Sequence, residues 1–357
     1  MSTPRLEIYP QRIAENALSV ITFCHQHGIK VACVTKVLCA HPALLPALVD
    51  SGADMLADSR LTNLQQIAEV CPKVPRLLLR PPAISQLDDT LRRANISLNS
   101  SFMTLQGLSK AAEKLGVKHG VILMVDVGDL REGVMPDRIV ALAMAASKLP
   151  HLEILGLGAN LACYGGVIPS DTNMRILIEA REQCRKATGL PLDILSGGNS
   201  ANLPLLASGQ MPPEINHLRL GESIILGRNV LDRSPWQGTR QDTLRVVAEV
   251  VELESKPSVP IGARGQDAFG ETGEYIDRGI RQRAILNLGR QDVVVDGLTP
   301  EDDGMIVLGG SSDHLIVDVS NAHCPIHLGD EIAFYPTYGA LLAASTSPYV
   351  EKVVIND

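Results

Sequence analysis

"KVACVTKVLCAH", residues 30–41, places one lysine near the end of an apolar run that stops at His41-Pro42. Val31, Cys33, Thr35 and Val37 alternate with Ala32, Val34, Lys36 and Leu38. Both faces of such a run are nearly all apolar, which is the pattern of a strand buried on both sides. The proline that follows is a stop signal. Lysine is among the residues least often buried without a partner, so Lys36 has two readings. A lysine near a strand end can snorkel its ammonium to water. A desolvated lysine is also a good amine for Schiff-base chemistry.

Similar apolar runs recur outward from this stretch, at 53–57, 76–79, 96–100, 120–127, 152–161, 192–196 and 217–221. Helix-like stretches lie between them, such as 103–115, 137–148 and 172–187. Eight strands alternating with helices predict an α/β fold, a (β/α)8 TIM-type barrel. An open doubly wound sheet is the competitor, but no G-x-G-x-x-G follows the first run. After about residue 230 the character changes. "DRSPWQGTRQDT" (232–243) is polar and reads as a linker, and strand-like runs follow at 244–253, 283–288, 314–319 and 331–336 with little helical periodicity. The expected division is therefore a barrel over 1–232 and a small all-β domain over 233–357. One helix-like segment, 11–27, precedes the first barrel run, so residues 4–9 (PRLEIY) are candidates to pair with the second domain. A chain of 357 residues suits one large and one smaller domain.

Composition narrows the function classes. A net charge of −8 and 3% aromatic residues argue against nucleic-acid and anionic-membrane partners. The start of the chain, "MSTPRLEIYPQR", lacks the basic-then-apolar pattern of a signal peptide, and no run reaches membrane-spanning length. A soluble cytoplasmic protein is expected. Seven scattered cysteines without a C-x-x-C pair read as reduced thiols. His323, Cys324 and His327 form the one metal-like cluster, but Pro325 lies between the histidines, so a turn is the better reading and no metal is expected.

In a barrel, chemistry gathers at the C-terminal ends of the strands. Lys36 is expected at the end of the first strand, Asp126 and Arg131 around the end of the fifth, and Asn160 at the end of the sixth. "SGGNSAN" (196–202) follows the seventh, and Arg219 lies in the eighth. The 196–202 segment resembles a phosphate cradle, because its glycines allow close backbone approach and Ser200 could both cap the next helix and donate to a phosphate. Gly221, Glu222 and Ser223 add the loop after the eighth strand, where this fold commonly holds phosphate. A lysine amine facing a phosphate cradle suggests pyridoxal 5′-phosphate (PLP). Arg219, flanked by Leu218 and Leu220, could then face the pyridine nitrogen. A guanidinium only donates, so that nitrogen would stay unprotonated, which favours reprotonation at Cα over decarboxylation or transamination.

"VTKVLCA", "GDLREGV", "GLGANLACYGG", "SGGNSAN", "LRLGESIILG" and "SSDHLIVDV" together resemble the alanine racemase family, most nearly its ornithine and lysine racemase branch, from about residue 5 to the C-terminus. The resemblance implies that Lys36 binds PLP and serves as one base, and that Arg219 faces the ring nitrogen. It implies that Ser200, Gly221 and Tyr338 hold the phosphate, with Glu222 and Ser223 in the same turn. Arg131 would orient the cofactor's phenolate oxygen and the substrate carboxylate. Asn160 stands where alanine racemases have a histidine against the ring. The family's second base is a tyrosine from a partner subunit. Tyr275, in "EYIDRG", is the candidate, although one residue is inserted before the glycine; Asp313 and His314 are the alternatives. A homodimer with a shared active site is implied, acting on ornithine, lysine or arginine. The rivals are a basic amino-acid decarboxylase on the same fold and a non-catalytic PLP-binding protein.

Overall fold

Short apolar runs buried on both faces need a sheet without edges, and here they close on themselves. In the computed structural model, which describes residues 2–356, a first strand β1 (Arg5–Ile8) precedes β2 (Lys30–Val34), β3 (Met55–Asp58), β4 (Arg76–Leu78), β5 (Ile96–Asn99), β6 (His119–Met124), β7 (Leu152–Gly158), β8 (Ile194–Gly198) and β9 (His217–Leu220). Strands β2 to β9 pair in order, all parallel, and β9 returns to β2 to close the barrel predicted from the sequence. Ala32 and Val34 pack with Met55, Ala57, Leu77, Leu98, Ile122 and Met124 in its interior. Arg219 is in register with Ala32 and so points inward with it.

Helices cover the outside. Pro10–Gln26 buries Ile13, Ala17, Val20, Ile21 and Cys24, one stripe at helical spacing. Its buried Asn16 donates to the carbonyls of Ile224 (3.1 Å) and Arg240 (2.8 Å) and accepts from Arg240 N (2.7 Å), so its polar groups are satisfied. Asp171–Thr188 starts at Ser170, whose hydroxyl accepts from Asn173 N, and stops at Gly189 with φ +71°.

The chain divides into two compact units: Pro10–Gln241, and the segment up to Tyr9 together with the chain from Asp242 onward. The boundary expected at 232/233 thus falls at 241/242. The polar stretch 232–241 is no free linker. Trp236 N donates to Gly227 O (2.8 Å), and the indole packs edge-on to Phe23.

The second unit contains β10 (Leu244–Pro257), β11 (Ile280–Leu286), β12 (Leu298–Pro300), β13 (Ile306–Gly310), β14 (Leu315–Asp318), β15 (Glu331–Pro336) and β16 (Glu351–Val354). Its antiparallel path runs β12-β15-β10-β11-β14-β13, and β1 pairs antiparallel with β10 and parallel with β16. The buried Arg5 guanidinium grips Glu331 through two bonds of 2.7 Å and also meets Glu7. This unit also has a helix, Tyr338–Thr346, which the all-β expectation left out. His323, Cys324 and His327 do not converge: His323 lies against Asp302 and Asp303, and His327 against Asp330. All seven cysteines are free. Among the described residues no helix is long and apolar enough to cross a membrane.

Candidate active site

β2 ends at Val34, so Lys36 is not the last residue of a strand but the first of a tight turn, Lys36–Leu38, and it is half-buried rather than buried. The turn is held from below. Thr35 Oγ1 donates to Asp58 Oδ2 at 2.7 Å, and Asp58, fully buried at the end of β3, also accepts from Arg60 N (2.9 Å) and Asn63 Nδ2 (3.1 Å). Burial raises the Asp58 carboxyl above its ordinary range, against the pull of these bonds. Cys39 and Ala40, just after the turn, both have φ of +52°, a conformation that costs about 1–3 kcal/mol for a residue with a Cβ.

Arg219 is 4% exposed, and none of its hydrogen-bond partners among the described residues is a carboxylate. It donates to Ser196 Oγ, to Ala159 O (2.8 Å) and to Asn160 Oδ1 (3.2 Å). Burial lowers it to about 10, with Arg131 adding to the fall and the charge of Glu132 opposing it. Since Arg219 can only donate, Ser196 accepts from it and gives its own hydrogen to His217 Nδ1 at 2.7 Å. His217 is therefore neutral with its hydrogen on Nε2, and burial lowers it to about 3.

The orientation of Asn160 is equally forced. Ala201 N donates to Asn199 Oδ1 (2.8 Å), so the Asn199 amide nitrogen must be the donor to Leu161 O (2.8 Å) and to Asn160 Oδ1 (3.1 Å). Asn199 and Arg219 thus meet on one oxygen of Asn160, and its buried Nδ2 has no partner among the described residues. Asn199, not Ser200, caps the turn after β8, contrary to the sequence reading. The Ser200 hydroxyl is left beside Ser223 Oγ (3.0 Å), Gly221 N (3.3 Å) and Ser223 N (3.4 Å). Four donor groups so converge at the ends of β8 and β9, held to one another only by long bonds. Gly198, at φ +148°, has to be glycine, because a Cβ would lie 2.2 Å from Asn202 Oδ1. Glu222 follows Gly221 and is ion-paired to Arg233; burial raises its carboxyl, opposed by the charges of Arg233, Arg228 and Lys36.

The loop after β6 carries the remaining barrel candidates. Asp126 Oδ1 accepts from Gly128 N (2.8 Å) and Leu130 N (3.2 Å), which folds the loop on itself. Asp129, 1% exposed, accepts from Tyr164 N (2.9 Å) and more weakly from Cys163 N and Val167 N, which ties this loop to the one after β7. Between these anchors, Arg131 is doubly paired with Glu132 and donates to Cys163 Sγ.

The other candidates belong to the second unit. Tyr275 is 50% exposed between β10 and β11, with the Arg264 guanidinium 5.1 Å over its ring. Asp313 and His314 are bonded to each other (2.8 Å) in the turn between β13 and β14, and that bond holds the Asp313 carboxyl below its usual range. Tyr338 opens the helix Tyr338–Thr346 and is half-buried, so it is not a strand-edge aromatic. Sequence reasoning missed Asp58, Asp129, Glu132, Ser196 and Asn199. Asn199 carried a usable signal, an Asn preceding a short helical turn; the others looked like ordinary polar residues.

Residues 8–229 match the family model described as alanine racemase, N-terminal domain. The chain is 41% identical to an ornithine racemase of Acetoanaerobium sticklandii over 99% of both chains, and 38% identical to a lysine racemase of Thermotoga maritima over 99% of both. Among solved structures it resembles an alanine racemase of Clostridium difficile 630 (TM-score 0.74, 17% identity, 100% of this chain and 97% of that one). It also resembles the Bartonella henselae alanine racemase with covalently bound pyridoxal phosphate (TM-score 0.75, 17% identity, 99% and 100%).

Proposed function

The chain belongs to the alanine racemase family, and on that premise we propose that it is a PLP-dependent racemase that interconverts the enantiomers of a basic amino acid, ornithine or lysine. The observation that carries this reading is Arg219, a buried cation whose protein partners are all neutral. Three of its five N–H groups are used, and an electron-rich ring nitrogen is a suitable acceptor for another. The donor cluster at Ser200, Gly221 and Ser223 suits a phosphate equally well.

Bound PLP withdraws electrons from the substrate's Cα, so that its proton can be removed. Lys36, in its half-buried turn, would anchor the cofactor's aldehyde carbon and, once released, move a proton on one face of Cα. Tyr275 of a second copy would serve the opposite face, which makes a homodimer part of the reading. Ser200, Ser223 and Gly221 would hold the phosphate. The pairing of Glu222 with Arg233 keeps a carboxylate beside that phosphate from acting as a bare charge. Asn160 would steady Arg219, and Arg131 would take the substrate carboxylate.

The test is incubation of pure L-ornithine with the PLP-loaded protein, followed by chiral chromatography and a carbon dioxide assay. D-Ornithine approaching a one-to-one ratio without gas is the expected result. Carbon dioxide with a diamine product would establish a decarboxylase, and unchanged L-ornithine and L-lysine would overturn an enzymatic reading.

A further inference from the structure

A basic amino acid brings three charges to a site that already holds Lys36, Arg131 and Arg219. The side-chain ammonium would be repelled there unless a carboxylate receives it. The carboxylates at the C-terminal ends of the barrel strands differ in what they have left to offer. Asp58 is fully buried and spends its oxygens on Thr35, Arg60 N and Asn63. Asp126 and Asp129 are buried on backbone N–H groups of the loops they shape. Removing any of these three from its donors would unmake a turn.

Glu222 and Glu132 remain, with side chains 13% and 15% exposed, each paired to a more exposed arginine. Glu222 stands in the turn with Ser223, beside the donor cluster, where Arg233, Arg228 and Lys36 already act on it. Glu132 is different. Among the described residues its carboxylate bonds to Arg131 alone and to no backbone N–H, and its charge reaches Arg219 inside the barrel.

Resting on the racemase reading, we propose that Glu132 reads the cationic tail of the substrate. The substrate's α-carboxylate takes Arg131, and its side-chain ammonium takes the Glu132 carboxylate that Arg131 gives up. One ion pair opens and two form, and only the substrate's α-amino group stands outside them. The spacing agrees: an extended ornithine separates its carboxylate from its tail nitrogen by about 6 Å, a distance that two adjacent long side chains can span. A neutral amino acid could occupy Arg131 but would leave Glu132 without a cation, so the same pair selects against it.

The experiment compares kcat/KM for ornithine, lysine and the uncharged norleucine, with the visible absorbance of bound PLP as the check of an intact site. Glu132→Gln should lower kcat/KM for ornithine by about 10- to 100-fold, the worth of one charge-assisted bond, chiefly through KM. Norleucine should hold or gain on the same scale, because Gln removes the unpaired charge that selects against it. Glu132→Asp keeps the charge and the fold but withdraws the carboxylate by one methylene, so it should raise the lysine-to-ornithine ratio. Equal losses for ornithine and norleucine in Glu132→Gln, or an unaltered length preference in Glu132→Asp, would overturn the assignment. So would Glu222→Gln shifting the ornithine-to-norleucine ratio in place of Glu132→Gln. A wild-type protein that racemises neither ornithine nor lysine would instead refute the racemase reading.

Discussion

Acidification should destabilise the barrel through two buried histidines of its strands, His217 on the inner face and His119 on the outer. His119 and His217 are each 2% exposed, bonded to Ser97 and Ser196 respectively. Burial lowers His119 to about 4 and His217 to about 3, the latter helped by the charge of Arg219. In the unfolded chain both titrate near 6.5. Below that pH the unfolded state gains protons that the folded state refuses. The stability these groups contribute is therefore complete above pH 6.5 and is lost as the pH falls towards 4 and 3. At pH 5 the loss is about 2 kcal/mol for each, or about 4 kcal/mol together. Urea unfolding at pH 7 and pH 5, followed by far-ultraviolet circular dichroism, measures it. His217→Gln keeps an acceptor for the Ser196 hydroxyl and removes the titration, so it should remove about half of the pH-dependent shift, with the denaturant slope unaltered. A variant that loses as much stability between pH 7 and 5 as the wild type would refute the linkage.

Lys36→Ala should abolish the visible absorbance of bound PLP together with racemisation; a borohydride-reducible linkage that survives would point to another lysine. Arg219→Glu should protonate the ring nitrogen and divert turnover to transamination, seen as accumulating pyridoxamine phosphate, and an unchanged product ratio would place Arg219 away from the ring. Gly198→Ala should destabilise the barrel by about 2 kcal/mol or more and loosen PLP, because the new methyl must displace Asn202 in a backbone region that disfavours it; equilibrium dialysis of the cofactor checks this. Tyr275→Phe in deuterated water should nearly stop racemisation while one enantiomer still exchanges its Cα proton with retention. Wild-type exchange and interconversion of both enantiomers would turn attention to Asp313 or His314.

The barrel was legible because strands buried on both faces read as unbroken apolar runs, spaced by helices with one apolar stripe. Local backbone turns were less so. Val37 and Leu38 are buried, so they prolong the apolar run of β2 although the chain has already turned at Lys36. The helix Tyr338–Thr346, YGALLAAST, is apolar on nearly every side and therefore has no helical period to find. The polar strand ends could be named from spacing, but their partners could not. The chain from Asn160 through Arg219 and Ser196 to His217 joins the loop after β7 to β8 and β9, and that meeting is set by register. Asp58 and Asp129 look like loop acids in one dimension; only the fold shows that their carboxylates hold neighbouring loops together.

The pairing of β1 has a consequence for anyone building chimaeras from such proteins. β1 comes before the barrel, yet its four residues lie between β10 and β16, with Arg5 opposite Val247 on one side and Glu351 on the other. The barrel is thus an insertion within the β unit rather than a module that precedes it. A graft that swapped only the chain from Asp242 onward would supply β10 and β16 from one parent and the strand between them from another. Arg5 would then have to find a carboxylate in place of Glu331, or keep a buried guanidinium with Glu7 as its one carboxylate. Exchange of this unit therefore requires two cuts, one after Tyr9 and one before Asp242.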